Sequence, residues 1–191
     1  MKNSTDQSEP QTTHYAPTAE EAKQNGTEEN VSSKKLKGAV EKTGNMFEHY
    51  LEPDVLYVVT TNGYIKNDGS LVMGRGVAKY AANLHPDLPH ILGDLVATHG
   101  NIPFLLPYNF VSLPVKHHWR EKADINLIVD SLRFLTDLLI VYGQPGVSLY
   151  MPRPGCGNGG LEWPFVKEQI RPYISELWVE TGMVTTIWNY G

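Results

Sequence analysis

A chain of 191 residues with 41% hydrophobic side chains is long enough for one packed α/β domain and too short for two ordinary ones. Its net charge of −5 excludes broad electrostatic binding to nucleic acid, which needs many Lys and Arg contacts to phosphate, but leaves local basic contacts open. Cys156 is the only cysteine, which excludes an intrachain disulfide and a zinc site of paired cysteines, so neither metal nor cofactor is expected.

Residues 1 to 36 are dominated by Ser, Thr, Asn, Gln, Glu and Lys, with too little apolar surface to offset ordering entropy, and read as a disordered polar tail. Its Asn-x-Ser/Thr triplets at Asn3, Asn25 and Asn30 follow from that composition, and no secretion signal accompanies them. Residues 37 to 191 form the expected domain. Leu56–Thr61 is a β-branched apolar run of the kind buried on both faces of a sheet. Glycines then punctuate a loop through Gly63, Gly69 and Gly74-Arg75-Gly76, which leads into a helix at Val77–Leu84. A second helix follows Pro86, with Leu88, Ile91, Leu92, Leu95 and Val96 at helical spacing, and Phe104–Val111 returns to strand. From Asp124 to Tyr142, one apolar stripe of Ile125, Ile128, Val129, Leu132, Leu135 and Leu139 marks a long helix. Val147–Met151 is a strand, Leu161–Trp178 a helix interrupted near Pro172, and Met183–Trp188 a last strand. Strand and helix alternate without repeats, which predicts a mostly parallel sheet covered by helices on both faces, with ligands bound where loops leave the strands' carboxyl ends. No apolar stretch has the length of a signal peptide or membrane span, so a soluble cytoplasmic protein is expected, with no membrane partner and no further subunit.

Three loops after predicted strands carry residues suited to chemistry. In Met73-Gly74-Arg75-Gly76-Val77 the glycines leave backbone N–H groups uncovered next to a helix N-terminus, which suits phosphate as well as a plain tight connection. The spacing matches neither a Walker loop nor the dinucleotide fingerprint. Pro154-Gly155-Cys156-Gly157-Asn158-Gly159-Gly160 holds four glycines in six positions, an entropic cost that favours close backbone approach to a diphosphate or ribose. Cys156 reads as a small packed residue rather than a nucleophile, since no base or cation can be placed beside it from sequence. In Lys116-His117-His118-Trp119-Arg120 the adjacent histidines lack metal-ligand spacing, and Lys116 is a nucleophile toward an aldehyde-like sugar carbon if the strand end aims it into the crevice.

Together these loops resemble the macrodomain family, and within it the antitoxin-type DNA ADP-ribosyl glycohydrolases, with the terminal ADP-ribose protein glycohydrolase type more distant. Gly44-Asn45-Met46-Phe47 resembles that group's G-N-L-L stretch, and Met73–Ala78 its M-G-K-G-I-A loop. Leu113–Arg120 resembles F-P-T-K-x-H-W-R, and Gly155–Trp163 resembles G-C-G-N-G-G-L-D-W. The resemblance implies a three-layer α/β/α fold with a mixed, mostly parallel central sheet and ADP-ribose across its crest. It implies Lys116 and Asn62 as catalytic residues. ADP-ribose would be held by Asn45, Met46, Met73, Gly74, Arg75, Gly76, Val77, Pro154, Gly155, Cys156, Gly157, Asn158 and Gly159. The implied partner is ADP-ribose or an ADP-ribosylated substrate, ADP-ribosylated DNA among them. The implied activity is ADP-ribosyl glycohydrolysis, the alternatives being an ADP-ribose 1″-phosphate phosphatase and a non-catalytic ADP-ribose-binding module. The chain departs from its relatives at Asn45, where many macrodomains carry aspartate, at Gly159, where the terminal glycohydrolase type carries an acid, and in an insertion at Ile65–Leu71.

Overall fold

The structure, a computed structural model, describes residues 36–48, Tyr50 and 52–190. Residues 1–35 of the expected tail lie outside it, while Leu36 is buried in the core. Five strands, β1 (Ala39–Thr43), β2 (Val55–Asn62), β3 (Phe110–Lys116), β4 (Ser148–Pro152) and β5 (Thr185–Asn189), form one sheet in the order β1-β5-β4-β2-β3. Every pairing between them is parallel, and antiparallel pairing among the described residues is confined to two isolated bridges, Ile65–Leu71 and Leu105–Val111. The helices are α1 (Gly76–Leu84), α2 (Leu88–His99), α3 (Ile125–Tyr142) and α4 (Trp163–Thr181).

Alternation along the strands divides the core into two layers. Val58, Val111, Leu113, Leu149, Met151 and Ile187 pack against the stripes of α3 and α4, including Leu132, Leu135, Ile170 and Ile174. Tyr57, Val59, Phe110 and Trp188 face the other way, onto Ala81, Leu88 and Leu92 of α1 and α2. This is the expected three-layer arrangement, and it explains why β2 reads as an unbroken apolar run. The start of α3 is fixed by Asp124, whose carboxylate accepts from the Asn126 amide at 2.9 Å. No described helix is long and apolar enough to cross a membrane.

Three elements differ from the sequence reading. The third strand runs Phe110–Lys116 rather than Phe104–Val111, because Tyr108 and Asn109, with φ of +66° and +58°, reverse the chain just before it. The 104–106 segment folds back along the outer edge of β3, where the Ser112 amide donates to the Phe104 carbonyl at 2.9 Å. Pro114 shares that outward parity, so its missing N–H costs no bond to β2. Helix α4 continues through Pro172, losing one backbone bond while Ile170, Ile174 and Leu177 hold the turns on either side. Strand β1 went unanticipated because it is an edge strand with mostly exposed side chains.

The connections place the site. From β2 the chain passes through α1 and α2 to β3 on one side, and from β4 it passes through α4 to β5 on the other. The loops after β2 and β4 therefore diverge, leaving a crevice at the carboxyl ends of the two strands.

Candidate functional site

The β2 loop forms one wall of this crevice. Asn62 is buried, and its side chain is spent on shaping the loop: its amide nitrogen donates to the Val72 carbonyl at 2.8 Å and its oxygen accepts from the Tyr64 amide at 3.0 Å. The segment between is a short hairpin, closed by the Lys66 amide on the Ser70 carbonyl and by Asp68, which accepts from the Ser70 amide and hydroxyl at 3.0 and 2.7 Å. Beyond it, Arg75 is the N-cap of α1 without a side-chain cap, so the first-turn N–H groups stay open toward the crevice.

The β4 loop forms the opposite wall. A Cβ on Gly159 would lie 2.2 Å from the Gly155 carbonyl oxygen and 2.7 Å from the Ala123 Cβ, so the loop folds on itself only with glycine there. No acidic side chain fits at this position, which explains one departure from the terminal glycohydrolase pattern. A Cβ on Gly155, at φ +74°, would run into Ile128, Ala123 and Leu161. Gly74 and Gly157, by contrast, face open space on the two walls. The walls meet where a Cβ on Gly76 would sit 3.5 Å from Asn158 Nδ2.

Lys116, the last residue of β3, bridges them. Its Nζ donates to the Asn158 carbonyl at 2.8 Å, and its own carbonyl accepts from Asn101 Nδ2 at 2.9 Å. Burial, and then the Arg75 guanidinium nearby, hold its amine below the usual lysine pKa. Two cationic groups and the α1 N-terminus thus converge on one crevice, a field suited to an anion such as a diphosphate. Cys156 is the opposite case, since burial pushes its thiol up to about 11 and its Sγ turns to the Pro154 carbonyl at 3.5 Å. A thiol so protonated is no nucleophile near neutral pH.

The other expected residues divide by burial. Arg75, Gly76, Gly157 and Asn158 are exposed at the crevice, whereas Met46, Met73, Pro154, Gly155 and Gly159 are buried, so a ligand there meets backbone rather than side chain. Asn45, two residues beyond β1, accepts from the Phe47 amide at 3.0 Å through its side-chain oxygen. Two supporting residues went unread in the sequence. Asn101 braces the Lys116 backbone from the α2–β3 connection. Glu41 of β1 receives Arg153 Nη2 at 3.1 Å, Trp163 Nε1 at 3.0 Å and Lys167 Nζ at 2.7 Å, tying the foot of the β4 loop to the sheet edge. Neither carries a motif, and Glu41 lies 112 residues from Arg153, so only the fold joins them.

No protein-family profile matches the chain. Its fold superimposes on the macrodomain of Mycobacterium tuberculosis DarG with a TM-score of 0.66 at 20% identity, covering 80% of this chain and 98% of that one. The chain has the macrodomain fold. The chain also superimposes on Thermosipho africanus DarTG in complex with ADP-ribose, with a TM-score of 0.58 at 21% identity over 78% of this chain and 41% of that one. Among curated proteins its sequence is similar to a DNA ADP-ribosyl transferase-DNA ADP-ribosyl glycohydrolase fusion protein of Thermosipho africanus, 36% identical over 69 residues, which are 36% of this chain. It is also similar to a DNA ADP-ribosyl glycohydrolase of Thermus aquaticus, 28% identical over 124 residues, which are 56% of this chain. The chain spans 17% and 34% of the lengths of these two relatives.

Proposed function

We propose that this macrodomain binds ADP-ribose in the crevice and hydrolyses its bond to a modified acceptor, the acceptor being a DNA base and Lys116 the catalytic amine. The observation that carries this reading is the position of Lys116 Nζ at the end of β3, beside the end of β2 and bonded to the Asn158 carbonyl of the β4 loop. The similarity to proteins named DNA ADP-ribosyl glycohydrolases, and to a structure containing ADP-ribose, supports the ligand and the acceptor.

In this reading the open backbone at Gly74–Gly76 and Gly157–Asn158 cradles the diphosphate, and Arg75 balances its charge. Asn62 acts by fixing the loop and offers the sugar only the hydrogen-bonding capacity its two internal bonds leave. The lowered Lys116 pKa increases the share of neutral amine. Its lone pair attacks C1″ of the ribose, forming a C–N bond as the bond to the base breaks, and the glycosylamine so formed opens its ring, C1″–O4″ breaking and an amine proton passing to O4″, to give an imine. The base leaves with the electron pair and gains a proton. Water then hydrolyses the resulting imine, returning ADP-ribose and the free amine.

The test is release of ADP-ribose from a single-stranded oligonucleotide ADP-ribosylated on thymidine, comparing the natural protein with Lys116→Ala and titrating free ADP-ribose into both. Turnover lost in the variant with ADP-ribose binding kept is the expected result. Binding without turnover in the natural protein would leave a sensor. Phosphate release from ADP-ribose 1″-phosphate that survives Lys116→Ala would make it a phosphatase.

A further inference from the structure

Directly after Lys116 the chain builds a ladder of rings on the protein surface. Tyr64, at the base of the 65–71 hairpin, meets the His118 ring edge-on at 4.6 Å. His118 lies beside Trp119 at 5.7 Å and 26°, and the Arg120 guanidinium sits 4.6 Å from the Trp119 ring centre. Tyr64 and Trp119 are 41% and 42% exposed, so two large rings face water at the rim of the crevice.

Hydrogen bonds brace the backbone that carries the ladder. The Gly63 amide donates to the His117 carbonyl at 3.1 Å, locking the β2 and β3 loops together. His118 Nδ1 accepts from the Arg120 amide at 3.2 Å, and the His118 amide donates to Glu121 at 3.1 Å. His117 is paired with Asp124 at 3.2 Å. The acidic groups of this segment are thus turned onto its own backbone and His117, while Arg120 and Lys122 stay exposed.

Position gives the ladder its meaning. β3 is the outermost strand on this side, and Lys116 reaches inward from its end to Asn158, so the ladder lies outside the amine, away from the β4 loop. An acceptor attached to a sugar held at Lys116 leaves the crevice past these rings. An open depression of about 380 Å³, lined by Tyr64, Lys66, Asn67 and Asp68, adjoins the Tyr64 ring. Aromatic faces with an adjacent guanidinium are the surface on which unpaired bases stack, and the exposed Arg120 and Lys122 supply local positive charge beside them in an otherwise acidic chain.

We infer that Tyr64, Trp119 and Arg120 form a stacking platform for the bases of single-stranded DNA next to the ADP-ribosylated one. The inference rests on the glycohydrolase reading for the identity of the nucleic acid, and its contacts lie outside the ADP-ribose crevice. Its test is fluorescence anisotropy with a labelled oligonucleotide of about ten nucleotides, ADP-ribosylated at one central thymidine. Binding is measured to Lys116→Ala protein, which leaves the ligand intact, and to the same protein carrying Trp119→Ala or Trp119→Phe, with free ADP-ribose titrated alongside. Trp119→Ala should weaken oligonucleotide binding about tenfold, Trp119→Phe should restore most of it, and affinity for free ADP-ribose should not change. Equal affinity of the Ala variant for the oligonucleotide, or an equal loss for free ADP-ribose, overturns the platform. The same Trp119-dependent gain with an ADP-ribosylated peptide or an RNA of matching sequence overturns the assignment to DNA. A natural protein that never cleaves the oligonucleotide removes the glycohydrolase reading, while the Trp119 comparison still decides the platform.

Discussion

The turn at Gly159 offers a perturbation whose size follows from distances. In Gly159→Ala the new methyl would lie 2.2 Å from the Gly155 carbonyl oxygen, more than about 1 Å inside ordinary van der Waals contact. To relieve it the turn must open, straining the bonds from the Ala123 amide to the Gly159 carbonyl at 2.9 Å and from the Leu161 amide to the Gly155 carbonyl at 3.0 Å. Overpacking of about 1–3 kcal/mol and roughly 1 kcal/mol for weakened hydrogen bonds give a loss near 2–4 kcal/mol, or a Tm lower by about 5–15 °C in a domain of this size. Gly157→Ala, two residues earlier in the same loop, meets nothing within 4 Å. It should stay within about 0.5 kcal/mol of the natural protein. Urea denaturation followed by tryptophan fluorescence, with thermal melts in parallel, separates the two variants. If they differ by less than about 0.5 kcal/mol, the close approach is not what fixes this loop.

Lys116 gives a pH signature: kcat should rise with pH through its lowered pKa and level off above it, because the neutral amine is the nucleophile. Arg75→Gln removes the second cause of that lowering, so the rising limb should move to higher pH at saturating substrate. A limb that stays in place would discard Arg75 as a partner. At Glu41, burial raises the pKa, but hydrogen bonds from Lys167, Trp163 and Arg153 outweigh it and hold the carboxylate below its usual 4.5. Its stabilisation is therefore complete above that value and lost as pH falls through the lowered one. Glu41→Gln should cost about 1–2 kcal/mol at pH 7, since the site is a third exposed, and the deficit should shrink in acid. Chemical denaturation at several pH values measures it, and a deficit independent of pH would mean that shape rather than charge is lost.

The sequence conveyed what is periodic or dense in glycine. The stripe from Ile125 to Leu139 marked α3, and the run at Leu56–Thr61 marked β2, because burial on a fixed face imposes a repeat on the residues themselves. The Phe104–Val111 run misled because apolar character says nothing about chain reversal, and Tyr108 and Asn109 turn without a glycine. Both glycine loops and Lys116 were visible as candidates, and their contact through Asn158 became visible only once the strand order was known. Asn62 looked like a ligand-binding amide, yet both ends of its side chain serve its own loop. Asn101 and Glu41 act through partners distant in sequence, which leaves no local trace.

Strand β1 is easily overlooked in this chain, and that bears on how the protein can be cut. A fragment beginning at Val55 would retain both glycine loops and the Lys116 segment, yet it would strip β5 of its neighbour along Thr185–Asn189. Five residues of backbone N–H and C=O would then form a bare sheet margin, the template on which strands of separate molecules pair. Such a fragment would be prone to self-association while still containing both glycine loops and Lys116.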